Sequence, residues 1–317
     1  MLKLILQRSG LVLFTILLSA IGFSQFRVIG YVPLGRTIPD FSKIAFDRIT
    51  HLNIAFVNPD STGNITYREG FDSLIQKAHE YNIKVLASVG GGSFNPYYSS
   101  LLADSNRKTF TAQLVKLMID HNLDGLDIDI ENDNLDKNYE PFIIGLAAML
   151  PKHKLLTAAL ATWNGHLISD AALKKFDFIS IMSYDQTGPW RPNEPGPHST
   201  YMKAEADLKY WRDERKVPKR KLNLGLPFYG YCFGTQYSQS MSYRDILATF
   251  PGANDQDQII PETGGVIHYN GLATIKQKTA LALKNAGGIM IWQLLNDAEG
   301  DESLLLAINT MIQKAGK

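Results

Sequence analysis

Three carboxylates alternate with aliphatic residues in the segment Leu123–Glu131. Side chains of a β-strand point to opposite faces in turn, so Asp127, Asp129 and Glu131 share one face and the aliphatic residues between them share the other. In a strand of a closed barrel, an apolar face packs on the surrounding helices and the opposite face points into the barrel. The segment therefore predicts three acids on the inner face of one barrel strand.

Acids crowded into a barrel interior cannot all ionise cheaply, because each charge loses hydration and repels the others. We expect shared protons and coupled titration, with one acid protonated near neutral pH. A glycosidase requires such a group, a carboxylic acid placed to protonate the oxygen of the departing sugar. Glu131 is the last of the three and lies at the carboxyl end of its strand, where barrel active sites are found.

Two other structures would explain clustered acids: a solvent-exposed acidic strand edge and a divalent metal site. The aliphatic alternation within Leu123–Glu131 argues against an exposed edge. Metal-dependent barrels usually recruit His or acids from other strands too, and the 7 histidines show no paired ligand spacing. We therefore predict neither a metal ion nor another cofactor.

The elements that would position these acids are short apolar or β-branched runs separated by amphipathic stretches such as Phe71–Tyr81, Lys108–His121 and Tyr139–Leu150. Most of the runs are continuous, which is typical of strands buried on both faces of a parallel sheet. The runs are Arg27–Val32, Ile49–Val57, Ile83–Val89, Leu123–Glu131, Lys154–Ala161, Phe176–Tyr184, Leu222–Phe228 and Gly288–Leu294. Their alternation with helices predicts an α/β fold, the (β/α)8 TIM barrel.

The length of the chain suits one barrel domain, which we place at residues 25–317. The longest gap between predicted strands contains many Gly, Pro, Asn and Asp residues. We interpret it as a short insertion at about residues 230–272, between strands seven and eight, followed by a helix over Thr274–Asn285.

The first 24 residues have the pattern of an export signal. Lys3 and Arg8 precede the apolar run Leu11–Phe23, and small residues lead to a possible cut before Gln25. This pattern predicts a signal peptide over residues 1–24 and a secreted or periplasmic product. A retained membrane anchor is the alternative, although the run is short for a membrane span.

Composition excludes two classes of partner. The 32 Lys and Arg nearly balance the 31 Asp and Glu, so the sequence predicts no nucleic-acid partner and, after removal of the signal, no membrane association. Cys232 is the single cysteine, so an exported product would contain no internal disulfide. Stability must then come from the packed core.

The chain resembles the family 18 glycoside hydrolases, the chitinases and their relatives. Asp124, Gly125, Asp127, Asp129 and Glu131 match the family signature Asp-Gly-x-Asp-x-Asp-x-Glu without a gap. Further segments resemble the family in the expected order: Ile54–Phe56, Ser88–Gly91, Met182–Asp185 with Gly188–Trp190, Gly225–Gly230 and Ile291–Gln293. The resemblance extends from Arg27 essentially to the end of the chain.

The resemblance implies retaining, substrate-assisted hydrolysis, in which the N-acetyl group of the substrate replaces a protein nucleophile. Glu131 would act as general acid and then as base, Asp129 would orient the acetamido group, Asp127 would share charge with Asp129, and Tyr184 would donate a hydrogen bond to the acetamido oxygen. The implied substrate-binding residues are Asp185, Trp292, Tyr31, Phe56, Trp190 and Met182. The implied partner is chitin, a chito-oligosaccharide or another glycan that contains N-acetylglucosamine.

Departures from the family pattern leave the substrate open. Many chitinases carry Trp-Glu-Tyr-Pro around the acid, where this chain has Ile130–Asp133. The insertion is also shorter than the extra domain that deepens many chitinase clefts. Cleavage of the β-1,4 bonds of chitin is the leading hypothesis, and an endo-β-N-acetylglucosaminidase of N-glycan cores is the first alternative. A glycan-binding lectin without activity is the second, although the acid and its partners are all present.

Overall fold

Eight parallel strands close into a barrel, which confirms the predicted (β/α)8 fold. The computed structural model describes residues 25–35, 38–93, 95–132 and 135–317. The predicted signal peptide, residues 1–24, lies outside the described residues. In chain order the barrel strands are Arg27–Pro33, His51–Ala55, Lys84–Gly91, Gly125–Ile130, Leu155–Leu160, Phe178–Ile181, Leu222–Pro227 and Gly288–Trp292. The last strand pairs with both the seventh and the first, which closes the ring.

The fourth strand shows why continuous apolar sequence forms a barrel strand here. All residues of Gly125–Ile130 are buried. Leu126, Ile128 and Ile130 belong to the large hydrophobic cluster that the strands share with the surrounding helices. Period-two geometry then directs Asp127 and Asp129 into the barrel, as the sequence predicts.

Helices cover the outside of the barrel. Phe71–Glu80 is typical: its buried residues Phe71, Leu74, Ile75 and Ala78 recur at helical spacing and form one apolar stripe. The helices are Phe71–Glu80, Tyr98–Leu101, Asp104–Asp120, Tyr139–Met149, Asp170–Lys175, Tyr201–Lys209, Tyr243–Thr249, Leu272–Asn285 and Leu304–Lys314, and Tyr210–Glu214 forms a π-helical turn. Within the described part of the chain, no helix is both long enough and apolar enough to cross a membrane.

A small antiparallel sheet lies between barrel strands seven and eight. Its strand order is Ser240–Ser242, Tyr229–Phe233, Val266–His268 and Gln258–Ile259. Tyr229–Phe233 begins two residues after the seventh barrel strand ends. The sheet, called the insertion sheet below, therefore rises from the carboxyl ends of the barrel strands, where a barrel places its site.

A glycine on the third strand makes room for the middle acid of the fourth. Gly90 is the lateral neighbour of Asp129. It has φ +124°, and a Cβ on it would lie 2.1 Å from the backbone oxygen of Asp129. Only glycine adopts this conformation without strain and allows the two backbones to approach so closely.

Gly90→Ala should destabilise the protein by about 2 kcal/mol or more, because the new methyl group meets strained backbone and a neighbouring strand. Gly145→Ala is the matched control, since a Cβ at Gly145 meets nothing within 4 Å on the helix Tyr139–Met149. The control should gain about 0.5–1 kcal/mol. Urea unfolding of both variants measures the difference, and equal stabilities would contradict this account of Gly90.

Candidate active site

Asp127 is the deepest of the three acids and accepts hydrogen bonds from three hydroxyl groups. The donors are the Tyr31 hydroxyl at 2.6 Å, Ser88 Oγ at 2.8 Å and Thr157 Oγ1 at 2.5 Å. Ser88 and Thr157 are its lateral neighbours on the third and fifth strands. Burial nevertheless raises the pKa of Asp127, although the three donors oppose that effect.

Asp129 lies one layer higher on the same strand. Its lateral neighbour is Gly90, which has no side chain. Among the described residues, Asp129 Oδ1 is buried without a hydrogen-bond partner. Burial raises the pKa of Asp129 well above its usual value, and the charges of Glu131 and Asp127 raise it further. Burial and the neighbouring charges therefore favour the protonated form of the middle acid.

Glu131 follows the last residue of the strand and is only partly buried. Burial, followed by the negative charge of Asp185, raises the pKa of Glu131 to about 7. Gly92 leaves space beside it, since a Cβ there would be 3.4 Å from Glu131 Oε1. Glu131 can thus both release and take up a proton near neutral pH, at the open end of the barrel.

The segment after the sixth strand brings Tyr184 and Asp185 to the same end of the barrel. Burial raises the pKa of Tyr184 strongly, and the charges of Asp129, Asp185 and Glu131 raise it further, so Tyr184 remains a phenol and a hydrogen-bond donor. Asp185 has φ +60°, and its side chain is 39% exposed. The Tyr229 hydroxyl donates to Asp185 Oδ1.

Two aromatic rings meet beside the acids. The Trp292 and Phe56 rings stack with centroids 5.6 Å apart. Both side chains are partly exposed, so part of this aromatic surface is available to a sugar. The peptide bonds Ala55–Phe56 and Trp292–Gln293 are cis.

Tyr31 does not lie where a substrate-binding residue, the role implied for it, would have to lie. Its ring packs edge-on against Trp292 at 5.6 Å, and the residue is only 1% exposed. Its hydroxyl is bound to Asp127. A side chain this buried supports the carboxylates from below and is not accessible to a sugar in this conformation.

The two remaining predicted binding residues differ in exposure. Met182 is partly buried and packs against an inner cluster that includes Phe178 and Met290. Trp190 is 57% exposed, and its ring contacts Tyr231 of the insertion sheet edge-on at 5.3 Å. Trp190 is therefore open to a ligand at the rim, whereas Met182 mainly packs the wall below.

Sequence reasoning overlooked several residues around the site. Thr157 could have been found, because it stands beside Asp127 on the next predicted strand. Tyr229 lies within the family-like segment Gly225–Gly230, although no role is predicted for it there, and His198 carries no recognisable signal. Both contact Asp185. Trp163 follows the fifth strand and is 66% exposed, so it is a second exposed tryptophan on this side of the barrel.

The sequence model described as "Glycosyl hydrolases family 18" matches residues 27–297. The chain belongs to family 18. This confirms the resemblance inferred from the strand motifs and makes the barrel a glycosidase scaffold of the chitinase type.

Solved structures extend the similarity of this family 18 protein. The GH18 chitinase ChiB from the chitin utilization locus of Flavobacterium johnsoniae is 37% identical, with a TM-score of 0.84 over 92% of this chain and 95% of that one. A chitinase from Bacteroides thetaiotaomicron is 29% identical, with a TM-score of 0.82 over 92% and 98% of the two chains.

The curated relatives are longer than this chain. A chitinase-like effector from Moniliophthora perniciosa is 26% identical over 73% of this chain, which spans 61% of the length of the effector. An oviduct-specific glycoprotein from Ovis aries is 31% identical over 58% of this chain and 40% of its own length. The family therefore includes relatives that are not named as enzymes.

Asp129→Asn should stabilise the folded protein at neutral pH. The unfolded chain releases the Asp129 proton near its usual pKa while the folded protein retains it, so wild-type stability falls as pH rises above that value. The asparagine side chain has no such titrating proton. The free energy of unfolding of the variant should therefore exceed that of the wild type by an amount that grows with pH, by up to about 1.4 kcal/mol per pH unit. Calorimetry at acidic and neutral pH measures this gap. Asp127→Asn disturbs three hydroxyl donors and should instead lower the melting temperature. A similar gain in stability in both variants would refute the raised pKa assigned to Asp129.

Proposed function

We propose that this protein is a retaining glycoside hydrolase that cleaves β-1,4-linked N-acetylglucosamine in chitin or chito-oligosaccharides. The observation that carries the proposal is the state of Asp129, a buried acid whose Oδ1 has no hydrogen-bond partner among the described residues. It lies between a hydrogen-bonded Asp127 and a partly exposed Glu131. An unpaired polar atom at that depth is costly unless a ligand completes it.

An acetamido group offers what Asp129 lacks. Its N–H can donate to a carboxylate oxygen, and its carbonyl oxygen can accept a hydrogen bond. Asp129 would bind the N–H, and the Tyr184 phenol would donate to the carbonyl oxygen. Held in this way, the carbonyl oxygen attacks the anomeric carbon and forms an oxazolinium ion, so the enzyme needs no nucleophile of its own.

Glu131 would perform both proton transfers. Protonated, it gives its proton to the oxygen of the departing sugar as the glycosidic bond breaks. As a carboxylate, it then takes a proton from the water that opens the oxazolinium ion, and the product keeps the β configuration. A pKa of about 7 suits a group that must alternate between the two states.

The aromatic residues support a sugar ligand. The exposed faces of Trp292 and Phe56 would pack against the apolar C–H face of the reacting sugar. Asp185 and Trp190, at the rim, would contact its hydroxyl groups and the neighbouring sugar. Together they favour a pyranose chain over a small polar substrate.

The choice of chitin rests on similarity. The 37% identical Flavobacterium johnsoniae protein is a chitinase from a chitin utilization locus, which favours chitin over the cores of N-glycans. The presence of Glu131, Asp129 and Tyr184 favours turnover over a lectin that binds glycans without cleaving them.

Glu131→Gln should lower kcat on chitotetraose by about a hundredfold to ten-thousandfold while chitotetraose binding remains, because only the transferable proton is lost. Glu80→Gln is the control, the same change on an exposed helix residue paired with Lys77. Wild-type binding of chitotetraose without cleavage would identify a lectin. Faster release of high-mannose glycans from a glycoprotein would identify the N-glycan enzyme, and full activity of the Glu131→Gln variant would refute the acid assignment.

We also propose export, supported by the signal-like pattern in residues 1–24. The mature protein should then begin near Gln25 when the full chain is expressed in a bacterium with an intact export pathway. Mass spectrometry of the N-terminal peptide in periplasmic and medium fractions checks this. Recovery of the uncleaved chain in the membrane fraction would favour the anchor instead.

A further inference from the structure

One face of the insertion sheet leads away from the active site. Tyr231 lies directly opposite His268 on the next strand, and His268 lies directly opposite Gln258 on the edge strand. Directly paired residues of antiparallel strands point to the same side, so the three side chains form one row. The Tyr231 end of the row contacts the exposed ring of Trp190 at the rim. The row therefore connects the rim of the cleft with a surface outside it.

The outer end of this row lines a groove of about 380 Å³. His268 and Gln258 line it together with Tyr201 and Met202, the first two residues of the helix Tyr201–Lys209. Tyr201 is 37% exposed and Met202 is 77% exposed, so apolar side chains stand beside the polar side chains of the sheet. We call this surface the outer groove. None of the residues that line it takes part in the proposed chemical steps.

A buried lysine holds the floor of the outer groove in place. Lys278 is fully buried, and its Nζ donates to the backbone oxygen of Ser199 and to Asn270 Oδ1, both at 2.7 Å. Asn270 Nδ2 donates to the same Ser199 oxygen at 2.9 Å, and the Ser199 hydroxyl donates to the backbone oxygen of Ser183 at 2.7 Å. These bonds anchor the backbone beside His198. A ligand therefore meets a preformed floor and has little of it to order.

The side chains of the sheet wall, in contrast, present polar groups that the protein does not use. Among the described residues, neither the His268 ring nor the Gln258 amide has a hydrogen-bond partner. Burial, followed by the charge of His198, lowers the pKa of His268, so at neutral pH its ring offers one donor and one acceptor. The Gln258 amide also offers both kinds of group. Hydroxyl and acetamido groups, which donate and accept at once, match such a wall.

The charge of the outer groove argues against an anionic ligand. Asp257 is the one acidic side chain among the described residues that line it. Its oxygens accept from the backbone N–H of Gly271 at 2.9 Å and from Thr274 Oγ1 at 2.6 Å, at the start of the helix Leu272–Asn285. A phosphate or an acidic peptide would be repelled by this carboxylate. A neutral ligand would not, and the remaining lone pairs of Asp257 can accept from its hydroxyl groups.

A sugar chain fits these groups as a set. The ring of Tyr201 and the side chain of Met202 offer apolar surface to the C–H face of a pyranose. His268 and Gln258 can form hydrogen bonds with the hydroxyl groups at its edge. An apolar peptide would instead cover the polar wall without satisfying it, which is unfavourable. The groove is therefore better suited to a neutral glycan than to an apolar or acidic peptide.

We propose that the outer groove is a second binding site for chains of N-acetylglucosamine, outside the catalytic cleft. The identity of the sugar rests on the proposed function. The groove would hold one part of a chitin particle while another part occupies the cleft. Two contacts with one polymer raise the apparent affinity, because the second contact forms within an existing complex. The outer groove should therefore matter for insoluble chitin and not for turnover of a short oligosaccharide in the cleft.

Two substitutions test the groove and leave the cleft intact. Tyr201→Ala removes the exposed ring, and His268→Phe removes both ring nitrogens but keeps an aromatic ring beside Phe233. The double variant should bind colloidal chitin about tenfold more weakly, from loss of an aromatic contact and a hydrogen bond. This binding is measured in the Glu131→Gln background, where the chitin is not cleaved. With Glu131 present, the double variant should keep the wild-type kcat and KM on chitotetraose.

Tyr81→Ala is the matched control. Tyr81 is 47% exposed and follows the helix Phe71–Glu80, which ends near the amino ends of the barrel strands, away from the groove. This variant should bind colloidal chitin as tightly as its parent. Equal binding by the parent and the double variant would overturn the proposal. Self-association of the wild type in sedimentation that the double variant abolishes would also overturn it, because the occupant would then be a second copy of the chain.

A measurement without turnover keeps this inference distinct from the proposed function. In backbone NMR of the full chain with Glu131→Gln, added chitotetraose should shift the amide signals of Gln258 and Met202 as well as those of the cleft. The double variant should lose the groove shifts and keep the cleft shifts. If the wild type cleaves chitotetraose but the groove signals do not respond, this inference alone fails. If the wild type cleaves no glycan but the groove signals respond, only the proposed function fails.

Discussion

The site depends on an unequal distribution of hydrogen-bond donors among three acids on one buried strand face. Asp127 lies between hydroxyl groups of neighbouring strands, so its charge is partly satisfied. Asp129 lies beside Gly90, and its buried Oδ1 has no hydrogen-bond partner among the described residues, so its protonated form is favoured. Glu131 reaches the rim, where solvent and substrate meet it. This graded environment converts three chemically similar side chains into a support, a ligand for the substrate and a proton donor.

A second level of organisation comes from elements outside the barrel. The insertion sheet places Tyr229 and Tyr231 next to Asp185, and the anchored residue His198 fills the space between them. The sheet therefore does more than extend the wall of a cleft. It determines the surroundings of a carboxylate whose charge acts on Glu131, two strands away around the barrel.

Much of this architecture was predictable from the chain. The eight strands can be predicted because strands buried on both faces have continuous apolar sequences, and the acidic face follows from a period of two. Tyr31 shows the limit of such reasoning. Its motif context suggested contact with a sugar, but whether an inward aromatic ring reaches the cleft or stops beneath it depends on its layer in the barrel. That layer follows from strand tilt and register, which no local pattern encodes.

The barrel, the strand that carries the acids and the order of Asp127, Asp129 and Glu131 along it can be predicted from the amino-acid sequence, because these features depend on local periodicity. The donors around each acid and the contact between His198 and Asp185 become known only from the folded arrangement of the chain. Those contacts join residues far apart in the chain, and their proton positions depend on burial and on atoms brought together by several elements at once. Local residue patterns determine strands and faces, whereas the closed ring and its insertion sheet determine the chemical state of each group.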